Sequence, residues 1–512
     1  MDSPATFRLP ALGLDESRRW RVALVALFGL ALLCRFLVYL NVAGAPLGRL
    51  AEWVGTDPWF YAARAERMVL DADWIARGGN MLPVPGMEEL AAEAEWDSLG
   101  GRNLPRGAVA LYLMAASFAV SGSMALYQML SLLAGAALAV VAAEAGARLF
   151  RDRRAGLIAG LLAASNQNLA VLAVVPGPWM WEALALGLVV LCLLRVRDGA
   201  GNPAEWLLLG LATALAIWTR PFFWWGVLLA PVAALAWRVP LKPATLAAWA
   251  LPIAVAATGL SARNVAVGAS PMPVVGAPAW DFARTLHPGA HALVDLPDDL
   301  TVLRAAEGNF LTTLRLSLSQ SAHREALPRI LSRKLRETLG ARDQSWSFSF
   351  DYMARRAETL RMTTLGPDMV AGLGWAAVLF LLYWRRLPGA LTATLAILVL
   401  HALLFSPAGG DRAPLHLCAS LAIAGALVLA WDQRARNPAM PLVFLTVWAA
   451  CHLFLQIDDQ ARGSRYRAFE FGQSAQIYRR EGRRADFDRE VRDFKNIRRA
   501  ELVLGGYWNA ER

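Results

Sequence analysis

Two acidic residues occupy positions where a membrane enzyme could use a carboxylate. Asp57 lies in the stretch "GTDPWFYAARAERM", which begins at Gly55, shortly after the first long apolar run ends. Glu182 lies in "PWMWEALALGL", about one turn into a later apolar run. A carboxylate that faces a cavity can take a proton from a hydroxyl group, so Asp57 is a candidate general base. A carboxylate at the depth of Glu182 is costly and marks a function or a buried pair, so Glu182 is a second candidate.

Both acids also have structural explanations. Asp57 can cap a helix that has Pro58 at its first position and runs to about Leu70. The aromatic residues after it can form a belt at the lipid headgroups. One of them, Tyr61, is also a candidate substrate-binding residue. Glu182 can simply be solvated at the membrane edge. Capping and catalysis are compatible at Asp57, and both explanations stay open for Glu182.

Three arginines near the ends of apolar runs supply positive charge. Arg220 stands in "IWTRPFF", Arg263 precedes Asn264 in "GLSARNVAVG", and Arg412 stands in "SPAGGDRAPL". Guanidinium groups bind phosphate through paired hydrogen bonds, so these residues are candidate ligands of an anionic substrate. Each arginine can instead extend to the membrane surface as an anchor. The same two interpretations apply to Arg35, inside the first apolar run.

The composition identifies the class of protein. The 512 residues are 56% hydrophobic and only 18% charged, whereas a soluble protein carries more charge. Apolar residues come in blocks of roughly 16–25, long enough to cross hydrocarbon as helices. The net charge is +10, but the arginines cluster in short links between blocks, which indicates topology rather than nucleic-acid binding. The sequence contains no CxxC, HExxH, P-loop or GxGxxG motif, and its histidines, among them His401 and His416, show no ligand spacing.

The blocks predict an all-α polytopic membrane protein with about eleven transmembrane helices. Arginines concentrate in alternate links, and the positive-inside rule places those links, with the N-terminus, in the cytoplasm. The opposite set of short links contains only Arg220 and Arg412. We therefore expect an inner (plasma) membrane protein whose C-terminus lies outside. The predicted spans are about 22–42, 124–147, 155–174, 179–194, 204–219, 222–237, 244–262, 369–384, 388–405, 413–431 and 440–456.

Larger segments lie outside in this topology. The semi-apolar piece 104–120 is short and interrupted, so it is predicted to be an interfacial or re-entrant helix. Counting it as a span would invert every later link and break the arginine rule. The expected divisions are a cytoplasmic N-terminus at 1–21, a transmembrane domain at 22–456 with outer loops 43–123 and 263–368, and a charged outer tail at 457–512.

Taken together, these segments resemble the GT-C superfamily of integral-membrane glycosyltransferases, nearest to protein O-mannosyltransferases and the aminoarabinose transferases of lipid A. The resemblance covers roughly residues 20–430. It is carried by the order and spacing of "TDPWFYAARAERM", "LPRGAVALYLMAASFAVSG", "ARLFRDRRAGLIAGLLAAS", "PWMWEALALGL", "LATALAIWTRPFFWW", "ARNVAVG" and "GGDRAPLHL". The sequence departs from the family in having Pro58 directly after Asp57, where an acidic pair is common, and Arg106 where a second proline is common.

The resemblance implies a GT-C-like bundle and an activity. Such enzymes move a sugar from a polyprenyl-phosphate carrier to an acceptor on the outer face of the membrane. Asp57 would be the general base, Glu182 a second catalytic acid, and the outer arginines would face the leaving phosphate. The implied partners are the lipid-linked donor, a glycan, lipid or protein acceptor and the bilayer, without nucleic acid. No cofactor is implied, although a divalent metal ion is compatible.

Two functions from other classes remain open. A transporter or flippase of lipid-linked sugars would use the arginines for phosphate and Glu182 for proton coupling. Such proteins often show internal repeats and broken helices, and neither is evident in the sequence. A non-catalytic assembly protein would instead bury Asp57 against a lysine or backbone amides. An enzyme should bring Asp57, Glu182 and an outer arginine around one cavity.

The topology is tested by a reporter that is active only outside the cytoplasm. Fused after Gln456, the reporter should be active, and fused after Arg154 it should be silent, because arginine-rich links stay inside. The opposite pattern would overturn the orientation and with it an outward-facing site.

Overall fold

The computed structural model describes the chain as a helical bundle. The described residues are 15–43, 107–199, 202, 203–220, 224–266, 271–273, 309–340, 365–405 and 413–455, with short pieces at 61–62, 65–66, 68–69, 279, 282–283, 302, 305–306, 344–345, 348–349 and 484–485. The helices named in the first part of the chain are α1 (Glu16–Ala43), α2 (Ala108–Ser121), α3 (Ala125–Phe150), α4 (Arg153–Ser165), α5 (Gln167–Val174), α6 (Trp179–Asp198), α7 (Pro203–Thr219), α8 (Trp225–Ala236) and α9 (Pro243–Ala266).

Residues 309–349 contribute two helices and a short antiparallel pair, and four apolar helices follow them. The pair joins β1 (Gln344–Ser345) to β2 (Phe348–Ser349), with Gln344 opposite Ser349. The helices are α10 (Phe310–Ser319), α11 (Ser321–Leu339), α12 (Pro367–Tyr383), α13 (Gly389–Phe405), α14 (Ala413–Gln433) and α15 (Met440–Leu455).

The helix lengths support an all-α polytopic membrane protein, but eleven spans remain a prediction. By length and composition, 5 described helices can cross a membrane, namely α1, α3, α6, α9 and α14. The helices α2, α7, α8, α12, α13 and α15 are apolar but only 10–17 residues long. The predicted span 155–174 is wrong as a single helix. It is divided into α4 and α5 at Asn166, whose backbone is extended and whose side chain accepts a hydrogen bond from the Leu169 N–H.

The core lies where α3, α4, α6 and α14 meet. Its buried residues form one cluster that also includes side chains of α1, α5, α7, α12 and α13. Many are alanines, and Gly156 of α4 packs directly on the Ala143 carbonyl of α3. Small residues let membrane helices approach closely, and van der Waals packing then holds them together. Large apolar side chains such as Val25, Val232 and Phe454 stay exposed, as lipid contact requires.

One end of the bundle collects ion pairs from the arginine-rich links. Arg148 at the end of α3 binds Asp198 at the end of α6, and Arg154 at the start of α4 binds Asp432 at the end of α14. Burial raises the pKa of Asp152, but its hydrogen bonds and proximity to Arg154 outweigh burial and lower that pKa overall. The arginine-rich links, which the sequence predicts to lie on one side of the membrane, therefore meet at one end of the bundle. That this end faces the cytoplasm stays a prediction.

Helix α2 does not run from one end of the bundle to the other. Gly107, just before it, packs against Pro178, and Tyr127, just after it in α3, donates its hydroxyl hydrogen bond to the Gly177 carbonyl at 2.6 Å. Both flanks of α2 thus reach the same turn before α6. This geometry fits the predicted interfacial or re-entrant helix, since the chain enters α3 from the end at which it began α2.

Arg35 of α1 holds the break between α4 and α5. Its side chain is fully buried and donates hydrogen bonds from Nη1 and Nη2 to the Ala164 and Ala163 carbonyls at 3.3 and 3.1 Å. These carbonyls belong to the last turn of α4, which ends at Ser165 and leaves its final acceptors without helical partners. A cation is favourable at a helix C-terminus. The prediction that Arg35 is a surface anchor is wrong, because its side chain is fully buried, whereas its role as a phosphate ligand stays a prediction.

Gly135 of α3 provides the space for the Arg35 side chain. A Cβ at this position would lie 2.4 Å from Arg35 Nε and 2.8 Å from Cδ. Gly135→Ala should therefore displace Arg35 from the α4 carbonyls and lower the free energy of unfolding by about 1–3 kcal/mol. Thermal melting of the purified protein in detergent measures the loss.

Gly29→Ala is the matched control, because a Cβ at Gly29 of α1 meets nothing within 4 Å. Alanine favours a helix over glycine by about 1 kcal/mol, so this variant should melt at or above the wild-type temperature. Equal melting of both variants would mean that Arg35 adapts freely and does not hold the break.

Candidate active site

A buried ion pair joins Glu182 and Arg220 at the end of the bundle opposite the arginine-rich links. Arg220 Nε lies 2.6 Å from Glu182 Oε1, and the two side chains are 4% and 0% exposed. Arg220 Nη1 also lies 3.0 Å from His401 Nε2. The three residues come from α6, from the residue that caps α7, and from α13. The structure therefore assembles one polar cluster from three distant parts of the chain.

The ends of two helices position the charged partners. Glu182 lies in the first turn of α6, and Arg220 is the C-cap of α7, where its backbone N–H bonds the Ala216 carbonyl. The N-terminus of a helix favours an anion and the C-terminus favours a cation. Each charge thus complements the dipole of its own helix as well as its partner. These local fields offset part of the cost of removing both charges from water.

The contact with Arg220 sets the proton position on His401. A guanidinium has donors and no acceptor, so His401 must accept through an unprotonated Nε2. The ring is then neutral, with its proton on Nδ1. The cluster therefore combines one negative, one positive and one neutral side chain, in a setting where a net buried charge would be costly.

Gly107 contacts both the start of α6 and the end of α7 beside the cluster. The Gly107 N–H donates to the Thr219 carbonyl at 2.6 Å, directly before Arg220. Its φ of +80° is left-handed, and a Cβ there would lie 2.4 Å from Pro178 Cβ, so glycine is required. The Tyr61 hydroxyl reaches the same position. Tyr61 is buried in a cluster with Tyr127 and is packed near Trp181, the neighbour of Glu182 in the chain.

Arg263 and Asn264 lie at the end of α9 and connect to the same end of the bundle. Asn264 is fully buried and donates to the Met272 carbonyl at 2.9 Å. Arg263 Nη1 donates a hydrogen bond to the side-chain oxygen of Asn264 at 3.3 Å. Arg263 also contacts the Tyr112 phenol of α2. The Tyr112 ring lies 6.4 Å from that of Trp218 in α7. Arg263 is thus linked through aromatic rings to the helix that ends at Arg220.

An apolar cavity begins one helical turn below the cluster. It lies between α6, α7, α8 and α13. Leu186 follows Glu182 by one turn, Ala216 precedes Arg220 by one turn, and Leu398 precedes His401 by one turn, and all three line this cavity. The site therefore presents a polar group at the bundle end and an apolar space toward its middle, which suits an amphiphile with an anionic head.

Sequence reasoning found part of this cluster. Glu182 and Arg220 were both candidates, and the structure pairs them. The alternatives of an edge-solvated Glu182 and a surface-anchored Arg220 are wrong, because both side chains are buried. His401 was missed, although an ionisable residue within an apolar run is itself a signal. Asp57 and Arg412 lie outside the described residues, so their roles stay predictions.

The described residues do not present a metal centre. Among them, no group of three or more His, Cys, Asp or Glu side chains could hold a metal ion. This finding concerns only the described part of the chain, which does not include Asp57.

Comparisons with known proteins give a structural likeness alone. No family model matches the sequence, and neither does any curated protein. Two crystal structures of the Archaeoglobus fulgidus oligosaccharyltransferase resemble the fold. The form tethered to an acceptor peptide with the NVT sequon has a TM-score of 0.40 and 15% identity, and the apo form has 0.39 and 16%.

The likeness covers 86% of this chain but only 53% and 54% of the two archaeal chains. The chain thus spans about half the length of these proteins. At this identity and TM-score, the likeness does not define a reaction, a donor or an acceptor.

The pairing of Glu182 with Arg220 predicts a non-additive stability effect. Glu182→Met removes the carboxylate beside a buried guanidinium and should cost about 3–5 kcal/mol of unfolding free energy. The double variant Glu182→Met/Arg220→Met removes both charges and should recover most of that loss, since an apolar pair of similar volume is often as stable. Melting of both single variants and the double variant in detergent gives the coupling energy. Simple additivity would show that the pair contributes no specific interaction.

Proposed function

We propose that this protein is an integral-membrane glycosyltransferase that moves a sugar from a polyprenyl-phosphate carrier to a hydroxyl group of a cell-envelope acceptor. The observation that carries the proposal is the position of Arg220. Its buried guanidinium is oriented by Glu182 and His401, and it stands one turn above an apolar cavity. A guanidinium over an apolar cavity suits a phosphate that is joined to a long hydrocarbon chain.

Glu182 acts on the donor through Arg220 in this proposal. A carboxylate already bound to a guanidinium is a poor proton acceptor, because the positive charge stabilises its ionised form. Its role is then to hold the plane of the Arg220 fork toward the phosphate. Arg263 and Arg412 would add positive charge, Asn264 a hydrogen bond, and Tyr61 a side of the sugar site. Glu182 is therefore proposed as a positioning residue rather than as the base.

Asp57 remains the proposed general base. It precedes Tyr61 by four residues, so its Cα lies within about 14 Å of the Tyr61 Cα in any conformation. Tyr61 packs beside Gly107, which bonds the residue before Arg220. The position of Tyr61 beside Gly107 is therefore the observation that supports the assignment.

The reaction follows from these roles. The acceptor oxygen attacks the anomeric carbon and loses its proton to Asp57. The bond between that carbon and the phosphate oxygen breaks, and its electron pair leaves with the phosphate. Arg220 and the neighbouring arginines stabilise the negative charge that develops on the phosphate. No activated water or redox step is required.

A flippase of lipid-linked sugars is the second candidate, favoured by one observation. The break at Asn166 between α4 and α5 is of the kind that transporters use near the membrane midplane. Reconstitution distinguishes the two functions. Purified protein in liposomes with a polyprenyl-phospho-sugar should release free carrier phosphate and glycosylate an envelope extract, whereas a flippase would move the intact lipid across the bilayer without consuming it.

Asp57→Asn separates catalysis from helix capping. Asparagine caps a helix about as well as aspartate, but it cannot accept the proton. Sugar transfer should fall by roughly 100-fold or more, while the melting temperature stays near that of the wild type. Asp57→Glu should also be poor, because the added methylene displaces the carboxylate. An Asn variant with full activity would remove Asp57 from the mechanism.

A further inference from the structure

Three helices end on an arginine whose backbone is left-handed. Arg151 follows α3, Arg238 follows α8 and Arg385 follows α12, with φ of +55°, +56° and +52°. Among the described residues, these are the only ones other than glycine that have a positive φ. The left-handed conformation crowds the Cβ of an L-amino acid, so glycine is the usual residue at such a helix end. The chain itself ends α2 with Gly122, at a φ of +62°.

The same hydrogen bond closes all three helices. In each, the N–H of the residue after the arginine donates to the carbonyl five positions earlier. The bonds run from Asp152 to Ala147 at 3.0 Å, and from Val239 to Ala234 and Arg386 to Leu381 at 2.8 Å each. This bond requires a left-handed residue before its donor. Glycine would permit the same bond without strain, so the backbone geometry does not explain why arginine occupies all three positions.

The helix dipole does not require these arginines either. A cation stabilises the C-terminal end of a helix. A residue inside the last turn can provide this interaction without strain, as Arg148 does in α3 and as Arg195 and Arg197 do in α6. Strained backbone positions are retained where the side chain has a use. We therefore looked for a partner of the three left-handed arginines.

The side chains of the three left-handed arginines are open to a ligand. All three residues are exposed, and within the described part of the chain no acid pairs with them. Neighbouring arginines are bound to acids, namely Arg148 to Asp198, Arg154 to Asp432 and Arg195 to Glu205. This end of the bundle thus contains two kinds of arginine, and contacts within the fold account for only the paired kind.

Contacts between helices bring the three left-handed arginines to one end of the bundle. Arg151 lies in the link between α3 and α4, beside the paired arginines. The Arg197 guanidinium lies 5.9 Å from the Trp237 ring, so the end of α8 meets the end of α6. The ring of Phe380, in the last turn of α12, lies 5.4 Å from that of Phe444, near the start of α15. All three arginines therefore belong to the arginine-rich end.

Apolar neighbours place two of these arginines at the boundary between lipid and water. Leu235 and Leu382, three residues before Arg238 and Arg385, are 66% and 50% exposed, as lipid contact requires. A tryptophan directly precedes each of the two arginines, and tryptophan is typical of the headgroup layer of a membrane. The two guanidinium groups thus lie at the depth of the lipid phosphates.

We propose that Arg151, Arg238 and Arg385 bind the phosphate groups of anionic lipids at this membrane surface. A guanidinium forms paired hydrogen bonds with a phosphate. A second exposed cation follows two of the sites, Lys242 after Arg238 and Arg386 after Arg385. These cations repel the ammonium group of a zwitterionic lipid, so a net negative headgroup is favoured. The inference is independent of the proposed transfer reaction, which concerns the opposite end of the bundle.

Glutamine and glycine variants separate the charge from the backbone strain. Changing all three arginines to glutamine removes the charges and keeps the strain, whereas changing them to glycine removes both. In phosphatidylcholine nanodiscs, the triple glycine variant should melt about 2–5 °C above the triple glutamine variant, because glycine adopts a positive φ freely. Equal melting, or a lower melting temperature for the glycine variant, would mean that these positions are not strained and would overturn the inference.

Replacing the lipid tests the binding itself. Phosphatidylglycerol in place of phosphatidylcholine should raise the melting temperature of the wild-type protein, and both triple variants should lose this gain. Native mass spectrometry of protein released from mixed nanodiscs should show roughly fivefold less retained phosphatidylglycerol for the triple variants, the effect of one cation fewer at each site. Each single glutamine variant should lose about one third of the melting gain, because independent sites add.

Arg195→Gln is the matched control for net charge. It removes one positive charge at the same end, but Arg195 is already bound to Glu205 by two hydrogen bonds at 2.7 and 2.8 Å. This variant should therefore keep the full gain from phosphatidylglycerol. A loss equal to that of Arg238→Gln would show that the gain follows net charge alone and would overturn the sites.

Three further outcomes would also overturn the proposal. They are the absence of any gain in the wild-type protein, a gain that persists in the triple glutamine variant, and an equal gain from soluble glycerol phosphate. The last result would identify a site for free anions rather than for lipid. If a triple variant does not fold, lipid retention by the three single variants decides in the same way.

Discussion

The structure depends on placing opposite charges together in an apolar interior. A single carboxylate or guanidinium would be prohibitively costly at the depth of Glu182 and Arg220, whereas the pair at 2.6 Å is tolerable because each ion compensates the other. This requirement fixes how the start of α6 faces the end of α7. It also brings α13 alongside, since His401 accepts a hydrogen bond from the same guanidinium. Three helices thus share one constraint.

A second constraint concerns unpaired backbone groups. When α4 ends at Ser165, its last carbonyls need donors that neither lipid nor a continuing helix supplies. Arg35 supplies them from α1, and Asn166 caps the start of α5. Because of this break α5 is short, and the chain enters the turn before α6 directly after it. The arrangement that satisfies the backbone groups at the break therefore also positions Glu182 at the start of α6. It further places two buried amides, those of Asn166 and Asn168, beside His416.

The two ends of the bundle differ in how far their charged side chains are buried. At one end, arginines pair with acids in exposed or half-buried bridges such as Arg148–Asp198, which contribute little stability individually. At the other end, the polar groups of Glu182, Arg220 and His401 are buried, and they adjoin an apolar cavity. Exposed pairs suit a membrane anchor, whereas buried polar groups beside apolar space suit recognition of lipid-like molecules. This difference locates the candidate site at that end of the bundle.

The sequence by itself determined the membrane class and the grouping of the arginine-rich links. It also identified Glu182 and Arg220 as charged residues near apolar runs. These features can be predicted because the cost of moving a charge into hydrocarbon depends on the residue itself and not on its tertiary contacts. It also contained a signal for the break, the polar run at Asn166 within an apolar block, but hydropathy averages over such a run. Only the tertiary structure decided that Glu182 pairs with Arg220, that His401 joins them and that Arg35 caps a helix. Those contacts depend on which helices are neighbours. Helix packing in lipid is set by side-chain shape, because every face of a membrane helix is about equally hydrophobic and hydrophobicity therefore does not select a partner.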